Sequence, residues 1–420
     1  MQTAALERPA LGMDDEIRAA VKKIIRRVQE DGDAALAAMT EEFDGVRLAS
    51  FVVDEDEKQA AVESLDKAAL AAIDTAIANV RTFHSAQRPV AVSVETAPGV
   101  LCERIARPID AVGLYVPAGT APLPSAAIML AVPAAIAACP VRVLCTPPRK
   151  DGRADPAVVA AATRAGVDTL LKVGGAQAIA ALAYGTASVP RVHKIFGPGN
   201  AWVTCAKSLV SSDPRGAAID MPAGPSEVLV IADARANPVF VAADLLSQAE
   251  HGADSQVILL TDSEELAQQV QRELAEQLLK LTRRETVLSS LQHARILLVS
   301  SLAEAIALSN RYAPEHLILQ CENARTWVDK VTNAGSVFVG AWTPESVGDY
   351  CSGTNHVLPT YGYARNYSGL GVDQFMRQMT VQELTRSGLE GLAPTVKVLA
   401  GLEGLDAHAA AVNLRLADKR

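Results

Sequence analysis

An acid and an imidazole stand out in a long stretch that has neither helical nor strand periodicity. The stretch runs from Thr343 to Gly371 and contains Asp349 and His356. Aperiodic runs of this length inside a compact chain are uncommon and are usually functional. We therefore expect an ordered loop on a rigid scaffold, with Asp349 and His356 as its candidates for chemistry, the histidine as a base.

Gln248 and His251 lie three residues apart near the end of a predicted helix, in the sequence DLLSQAEHG. Asn237 suits the N-cap of that helix and Pro238 its first position. The spacing places the amide and the imidazole on one face of the last turn, where the helix dipole favours a cation. A histidine there more often caps carbonyl groups than binds a metal, and glutamine is seldom a zinc ligand. Both interpretations of this pair stay open.

Glu315 and His316 are adjacent at the start of the predicted strand HLILQ. A carboxylate can activate water and an imidazole titrates near neutral pH, so the pair can share proton transfer. A solvated pair of loop residues explains the same sequence. Glu403 and His408, five residues apart near the C-terminus, do not face one another on a regular helix and alone are typical of surface groups.

Two glycine-containing turns are predicted where a strand passes into a helix, GGAQ at 174–177 and GPGN at 197–200. Backbone N–H groups at a helix start stabilise an anion such as a pyrophosphate, and doubly wound sheets bind ligands at the carboxyl ends of their strands. Neither turn is GxGxxG, and that fingerprint occurs nowhere in the chain. Ordinary tight turns explain both sequences equally well.

The elements that position these residues form two series of alternating strands and helices. From residue 111, β-branched runs such as AVGLYVP and SEVLVIAD alternate with alanine-rich stretches such as PSAAIMLAVPAAIAA. This pattern predicts parallel sheets covered by helices on both faces, and hence two tandem doubly wound, Rossmann-like α/β domains. Residues 14–84 and 372–420 are predicted to be helical, the latter with an interruption around Gly391 and Pro394.

The composition is that of a globular protein with more than one core. The chain has 420 residues, of which 49% are apolar and only 4% aromatic, so alanine, valine, leucine and isoleucine must fill the cores. A net charge of -9 argues against nonspecific nucleic-acid binding. No apolar run reaches membrane-spanning length and the start lacks a signal-peptide pattern, so a cytoplasmic location is expected. The six cysteines lack CxxC spacing and are expected to be reduced thiols.

Read together, the segments resemble the histidinol dehydrogenase family over nearly the whole chain. Seven segments carry the resemblance: GLYVPAGTAPLPS (113–125), VGGAQAIAALAYG (173–185), KIFGPGN (194–200), DMPAGPSEVLVIAD (220–233), DLLSQAEHG (244–252), YAPEHLI (312–318) and GDYCSGTNHVLPTYGYAR (348–365). Long matches in this order are far more specific than any short motif.

The resemblance implies one Zn²⁺ per subunit together with NAD. The expected zinc ligands, which also contact the substrate, are Gln248, His251, Asp349 and His408. The expected proton-transfer pair is Glu315 and His316, and His316 also contacts the substrate, as do Ser226, His356 and Glu403. The positions expected to bind NAD are Tyr115, Gln177 and Asn200.

Members of the family are homodimers in which the C-terminal tail crosses to the other subunit, so His408 and Glu403 would complete the partner's site. The domains expected from the resemblance are a larger α/β domain at 15–114 and 226–371, a Rossmann-like NAD-binding domain at 115–225, a helical dimerisation segment at 1–14 and 372–396, and a crossing tail at 397–420.

The implied reaction is two successive NAD-dependent oxidations, from L-histidinol through L-histidinal to L-histidine, the last steps of histidine biosynthesis. His316 would act as base in both steps and Glu315 would activate the water that hydrates the aldehyde. In the family, zinc orients the substrate through its nitrogen atoms. The alternatives are a zinc-dependent dehydrogenase of another small alcohol, such as sulfopropanediol, and a noncatalytic homologue. Glu403, His408 and His356 favour histidinol, and the intact acid–base pair argues against the noncatalytic homologue.

Overall fold

The computed structural model describes residues 6–9, 15–118, 122–222 and 224–418. The described residues fall into two compact units, one formed by Met1–Gln87 with Ile109–Phe375 and the other by Arg88–Pro108 with Met376–Arg420. Of the expected N-terminal dimerisation segment 1–14, all but 6–9 lies outside the described residues. None of the described helices combines the length and apolar character needed to cross a membrane.

Fifteen α-helices are present among the described residues. They are Asp15–Asp31 (α1), Asp33–Asp44 (α2), Glu55–Glu63 (α3), Lys67–Ser85 (α4), Pro124–Ile136 (α5), Pro156–Ala165 (α6), Gly175–Tyr184 (α7), Ala201–Ser211 (α8), Pro238–Ala249 (α9), Glu264–Leu278 (α10), Arg284–Leu291 (α11), Leu302–Tyr312 (α12), Glu345–Tyr350 (α13), Arg386–Glu403 (α14) and Asp406–Ala417 (α15).

Thirteen strands accompany these helices in the same described ranges. They are Val92–Ala97 (β1), Val100–Pro108 (β2), Ala111–Tyr115 (β3), Val141–Thr146 (β4), Thr169–Lys172 (β5), Lys194–Phe196 (β6), Ala218–Ile219 (β7), Glu227–Ala232 (β8), Gln256–Thr261 (β9), Arg295–Leu298 (β10), His316–Gln320 (β11), Ser336–Val339 (β12) and Met376–Leu384 (β13).

The first unit contains two five-stranded parallel sheets with the same strand order. The first sheet runs β5-β4-β3-β6-β7 and the second β10-β9-β8-β11-β12. Counted along the chain, each is ordered 3-2-1-4-5, so the two halves repeat one topology. The predicted doubly wound parallel architecture is confirmed.

Both sheets are buried on their two faces, as the β-branched runs predict. Every residue of β8 and β9 is buried. In α5 the residues from Ser125 to Ala134 are buried in succession, because alanine side chains allow close packing on all sides of the helix. One core covers one face of the first sheet, and two further cores cover the two faces of the second. All six cysteines are free thiols, as expected.

The two sheets, expected to belong to separate domains, fall in one compact unit. A physical reason lies in the segment after α13. Asn355 Nδ2 donates to the carbonyl oxygen of Met129 in α5 at 2.8 Å, and Asn79 Nδ2 of α4 donates to Cys351 O at 2.8 Å. Hydrogen bonds therefore join this segment to helices that pack beside the first sheet.

The second unit corrects two predictions. Residues 376–384, expected to be helical, form β13, which pairs antiparallel with β2 from Met376↔Pro108 to Leu384↔Val100. Residues 88–108 consequently belong to this unit instead of the larger domain expected at 15–114. The paired residues are 268 to 284 positions apart in the chain, so local periodicity carries no signal of the pairing.

The expected helix interruption around Gly391 and Pro394 is also wrong. Both residues lie inside α14, which ends at Gly404 in the left-handed region with φ +70°. Pro394 is exposed, so its ring and the hydrogen bond it removes face solvent, where water replaces the missing donor.

Candidate active site

A cavity of about 400 Å³ lies between the carboxyl edge of the first sheet and the amino edge of the second. On the first side it is lined by the GPGN turn that follows β6. On the second side it is lined by Ser226 before β8, by Glu315 and His316 at the start of β11, and by the end of α9. The carboxyl-end rule for doubly wound sheets thus holds for the first sheet only.

The end of α9 brings Gln248 and His251 to this edge. Asn237 caps the helix by accepting from Val239 N at 3.0 Å, and Pro238 occupies its first turn, as predicted. The helix follows β8 and runs back antiparallel to it, so its last turn lies at the amino edge of the sheet. Gln248 is in that turn, whereas His251 lies just beyond the helix end.

One ring nitrogen of His316 forms a hydrogen bond, and the other has no partner among the described residues. Its Nδ1 lies 3.0 Å from the carbonyl oxygen of Glu227, which requires a proton on Nδ1. Its Nε2 is buried without a hydrogen-bond partner among the described residues, and lies 3.6 Å from Asp349 Oδ1. The lone pair of Nε2 is therefore the basic position of the ring.

Glu227 also holds the side chain of Glu315. Glu315 Oε2 accepts a hydrogen bond from the backbone N–H of Glu227 at 2.8 Å and lies 3.6 Å from His316 Nδ1. Glu315 and His316 are both buried, so the interpretation of this pair as solvated loop residues is wrong.

Three carboxylates surround the ring of His316 and change its proton affinity. Burial lowers the pKa of His316, but the carboxylates of Glu315, Glu345 and Asp349 outweigh it and raise that pKa well above its usual range. Burial raises the pKa of Glu345 well above normal. Burial also opposes ionisation of Asp349, yet the neighbouring His316 lowers its pKa. The cavity end thus gathers carboxylates whose ionisation a divalent cation would favour.

Three side chains converge as a possible metal group. Ligand atoms of His251, Glu345 and Asp349 all lie within 4.8 Å of one another, and His251 Nε2 is 3.8 Å from Asp349 Oδ2. With its amide oriented to donate, Gln248 gives hydrogen bonds of 2.7 and 3.0 Å to the two oxygens of Glu345. An imidazole with carboxylate oxygens is a donor set that fits zinc, so the residues present fit the expected ion.

Glu345 is a member of this group that sequence reasoning missed. It lies four residues before Asp349 in α13, so both carboxylates share one helix face. The stretch was expected to lack periodicity throughout, and its six-residue helix escaped notice. An acid at i and another at i+4 was the available signal.

The structure places the remaining expected substrate contacts in two locations. Ser226 and His356 line the cavity, and His356 Nδ1 lies 2.9 Å from the carbonyl oxygen of Asp349. Burial lowers the pKa of His356. Glu403 at the end of α14 and His408 in α15 are exposed and belong to the second unit.

A second cavity of about 610 Å³ brings together the three residues expected to bind NAD. Tyr115, Gln177 and Asn200 all line it, and Asn200 and His251 line both cavities, so the two adjoin. Pro147 and Trp202 add apolar surface. The shape suits a ligand that reaches from the wider cavity toward Nε2 of His316.

The turns at this cavity are built as predicted, but they offer fewer free donors than expected. Gly197 has φ +122°, and a Cβ there would lie 2.1 Å from Tyr115 O, so only glycine fits. Asn200 Oδ1 accepts from Trp202 N and Val203 N, each at 3.1 Å, and Tyr115 Oη accepts from Gly175 N at 3.0 Å. The side chains thus use helix-start N–H groups that a pyrophosphate would otherwise bind.

A buried ion pair braces the GPGN turn. Lys207 Nζ donates to Gly197 O at 2.7 Å and pairs with Asp220, whose Oδ2 accepts from Gly197 N at 2.8 Å. Both charged side chains are nearly inaccessible, and each satisfies the other. The pair fixes the boundary between the two cavities.

Known proteins share this arrangement along the whole chain. The family model for histidinol dehydrogenase matches residues 7–416. A histidinol dehydrogenase of Xanthomonas axonopodis pv. citri is 56% identical over 415 residues, which cover 99% of this chain and 96% of the relative. One of Vibrio parahaemolyticus is 54% identical, with 99% and 95% covered. The crystal structure of histidinol dehydrogenase from Elizabethkingia anophelis matches with a TM-score of 0.96 and 46% identity, covering 99% of this chain and 95% of that one. The chain belongs to the histidinol dehydrogenase family of NAD-dependent oxidoreductases.

Proposed function

We propose that the protein oxidises L-histidinol to L-histidine through L-histidinal, as the last steps of histidine biosynthesis. The observation that carries the proposal is the state of His316. Its Nδ1 lies 3.0 Å from the Glu227 carbonyl oxygen, its Nε2 has no hydrogen-bond partner among the described residues, and His316 lines a cavity together with Asp349, Gln248 and His251. A base with a fixed tautomer beside a hydride-acceptor cavity is what an alcohol oxidation requires.

In the first oxidation His316 takes the hydroxyl proton at Nε2 while hydride leaves the carbinol carbon. In the neutral ring the Glu227 carbonyl keeps the proton on Nδ1, so the lone pair that takes the hydroxyl proton is on Nε2. Tyr115, Gln177 and Asn200, which line the second cavity, would hold NAD as the hydride acceptor. The product of this step is the aldehyde.

Glu315 serves the second oxidation. One of its oxygens accepts from Glu227 N, which orients the carboxylate and leaves the other oxygen to take a proton from water. The water adds to the aldehyde to give a hydrate. During hydration His316 gives the proton it took in the first step to the carbonyl oxygen, which restores the base. His316 then removes a hydroxyl proton of the hydrate as the second hydride passes to a second NAD, and the carboxylate of histidine results.

The expected ligands of zinc are Gln248, His251, Asp349 and, from a second subunit, His408. When bound, the ion would hold the imidazole and amino nitrogens of the substrate and fix the reacting carbon by orientation. The donor set on this chain supports that role, because nitrogen and carboxylate ligands suit zinc. Ser226 and His356, which line the same cavity, would contact the substrate directly.

A homodimer with shared sites follows from the same proposal. In the second unit, Val398, Leu402 and Leu414 are 63%, 80% and 72% exposed. Large apolar side chains grouped on two helices support a protein contact. Glu403 and His408 lie on these same helices, where a crossing tail would deliver them to a partner's cavity.

The experiment that tests the proposal measures NADH formed per histidinol. Purified protein with excess NAD should form two NADH for each histidinol consumed, a chelator should abolish the reaction, and added zinc should restore it. A dehydrogenase of another alcohol would ignore histidinol and oxidise a sulfonated diol instead. A noncatalytic homologue would bind zinc and form no NADH with either.

A further inference from the structure

We propose that Arg8 and Glu227 form a positioning ion pair that holds Glu315 and His316 in catalytic geometry from behind the cavity. The inference rests on the roles proposed above for Glu315 and His316. It assigns a task to the N-terminal segment, whose described part is residues 6–9.

Glu227 is the residue from which both catalytic side chains are held. Its backbone N–H donates to Glu315 Oε2 at 2.8 Å, and its backbone carbonyl lies 3.0 Å from His316 Nδ1. The position of the Glu227 backbone at the start of β8 depends on the contacts that hold the Glu227 side chain. The side chain of Glu227 therefore matters even though it does not face the substrate.

The carboxylate of Glu227 is deeply buried and depends on Arg8. Burial raises its pKa, Arg8 lowers it, and the nearby Glu315 raises it further. Arg8 Nε donates to Oε1 and Nη2 donates to Oε2 at 3.1 Å, so the guanidinium grips both oxygens. Tyr361 N also donates to Oε1, at 3.0 Å. Without Arg8, Glu227 would be a buried anion beside a second carboxylate.

Arg8 is itself held by contacts suited to a guanidinium. Its Nη2 donates to Tyr312 O at 2.8 Å, and its Cζ lies 3.8 Å from the centre of the Tyr312 ring. Its neighbours are tied down as well, because Gln256 Nε2 donates to Glu7 O and Tyr361 Oη donates to Pro9 O, both at 3.0 Å. A planar fork that also stacks on a ring cannot be reproduced by lysine.

The pair acts on chemistry more than on binding. The expected zinc ligands on this chain and the expected NAD residues lie on other elements, so they keep their positions when Arg8 is lost. The strand start that carries Glu315 and His316 moves to relieve the unpaired charge. Displacements of about 1 Å at a reacting group cost roughly 100-fold in rate.

The test compares Arg8→Met, Arg8→Lys and the double variant Arg8→Met/Glu227→Gln with wild type, using histidinol, NAD and zinc. Arg47→Met is the matched control, because Arg47 pairs with Glu41 in the open at 2.7 Å. We expect Arg8→Met to lower kcat about 10- to 100-fold with KM values and zinc content unchanged. Arg8→Lys should retain part of kcat, and the double variant should recover most of it because no unpaired charge remains.

Several outcomes would overturn the inference. A folded Arg8→Met enzyme with wild-type kcat, or a double variant no faster than Arg8→Met, removes the positioning role. If Arg8→Met does not fold, Arg8→Lys decides, and a wild-type kcat in that variant contradicts the proposal. Failure of wild type to oxidise histidinol would instead overturn the proposed function.

Discussion

Among single residues, the tautomer of His316 decides what the active site can do. A ring proton on Nδ1, held by the Glu227 carbonyl at 3.0 Å, leaves Nε2 as the nitrogen for the proton transfer proposed above. Glu315 is held by the N–H of the same residue, Glu227. The proposed acid–base chemistry thus depends on two side chains and on the two peptide groups that flank the Cα atom of Glu227.

The different roles proposed for Glu315 and His316 predict different losses of rate in the two oxidation steps. Glu315→Gln should slow histidinal oxidation about 100-fold or more and spare the first hydride transfer, because only hydration needs an activated water. His316→Asn should slow both steps. Rapid-reaction measurement of NADH from histidinol and from histidinal separates the two, and equal losses in Glu315→Gln would contradict the water-activating role.

Glu345 is expected to set metal affinity without being among the four ligands implied by the family resemblance. Its carboxylate receives the Gln248 amide at 2.7 and 3.0 Å, which turns the amide oxygen of Gln248 away from Glu345 and toward the cavity. Replacing Glu345 with glutamine should weaken zinc binding about 10- to 100-fold. Competition with a chelator measures this without an activity assay.

Glu322→Gln serves as the control for that measurement. Glu322 is an exposed acid that follows β11 at the opposite edge of the same sheet. Its replacement removes the same charge from the protein and should leave zinc affinity unchanged. Equal zinc affinities in both variants would show that the Gln248 contact does not orient the ligand.

The residue types alone did not decide what the site binds. The zinc ligands were predicted from the family resemblance. Glu315, His316, Gln248, His251 and Asp349 do meet at one cavity. Arg8 and Glu227 could not be anticipated, since their contact spans 219 residues and neither carries a motif. A buried ion pair between distant parts of the chain depends on the tertiary structure, which local sequence patterns do not show.

Among the elements, α9 and β11 carry a second buried polar contact whose charge depends on pH. Asp244 in α9 accepts from Gln320 Nε2 at the end of β11. Burial raises the pKa of Asp244 to about 6, and the bond from Gln320 lowers it in part. The Gln320 Oε1 atom is buried and has no partner within the described residues.

Asp244→Asn should therefore stabilise the protein at neutral pH. A raised pKa in the folded state gives stability that is complete below the unfolded pKa of about 3.8 and is lost as the pH rises through about 6. The asparagine carries no charge and can also donate to Gln320 Oε1. We expect a melting temperature higher by about 2 °C near pH 7 and no gain near pH 4.

Thermal unfolding at both pH values, with the exposed Asp262→Asn as control, checks this expectation. A gain that is the same at both pH values would mean that the charge of Asp244 is not its source. A gain shared by Asp262→Asn would point to net charge instead of burial.

Periodicity predicted most elements of the first unit and the two helices of the second, but not β13. The buried strands β8 and β9 are continuous apolar runs bounded by polar residues, and such runs are read directly. β13 is exposed along most of its length and pairs with a strand far away in the chain, so its sequence MRQMTVQEL is not distinguished from a helix. Local pattern cannot supply a partner.

For the whole molecule, the proposed crossing of the tail predicts that two inactive variants restore activity in a mixed dimer. A His408→Asn chain mixed with a His316→Asn chain should regain roughly one quarter of wild-type activity, because half of the dimers are mixed and each has one intact site. Each variant alone should be inactive. Mixing under conditions that exchange subunits, followed by an NADH assay, gives the result.

Absence of regained activity in verified mixed dimers would mean that His408 serves its own subunit. Size-exclusion chromatography and differently tagged chains confirm that mixed dimers have formed. A second pair, Glu403→Gln with Glu315→Gln, repeats the test on residues that are expected to bind no zinc.

The N–H and carbonyl groups of Glu227 cannot be tested by replacing its side chain. The side chains of Glu315 and His316 form hydrogen bonds with its N–H and its carbonyl, and β8 is aligned with β11 so that Val228 lies opposite His316. Every amino acid except proline supplies the same two groups, so side-chain scanning leaves them untouched. Replacing the peptide N–H with an ester oxygen at residue 227 would remove the donor to Glu315 alone, and chemical protein synthesis could reveal a catalytic dependence that codon changes hide.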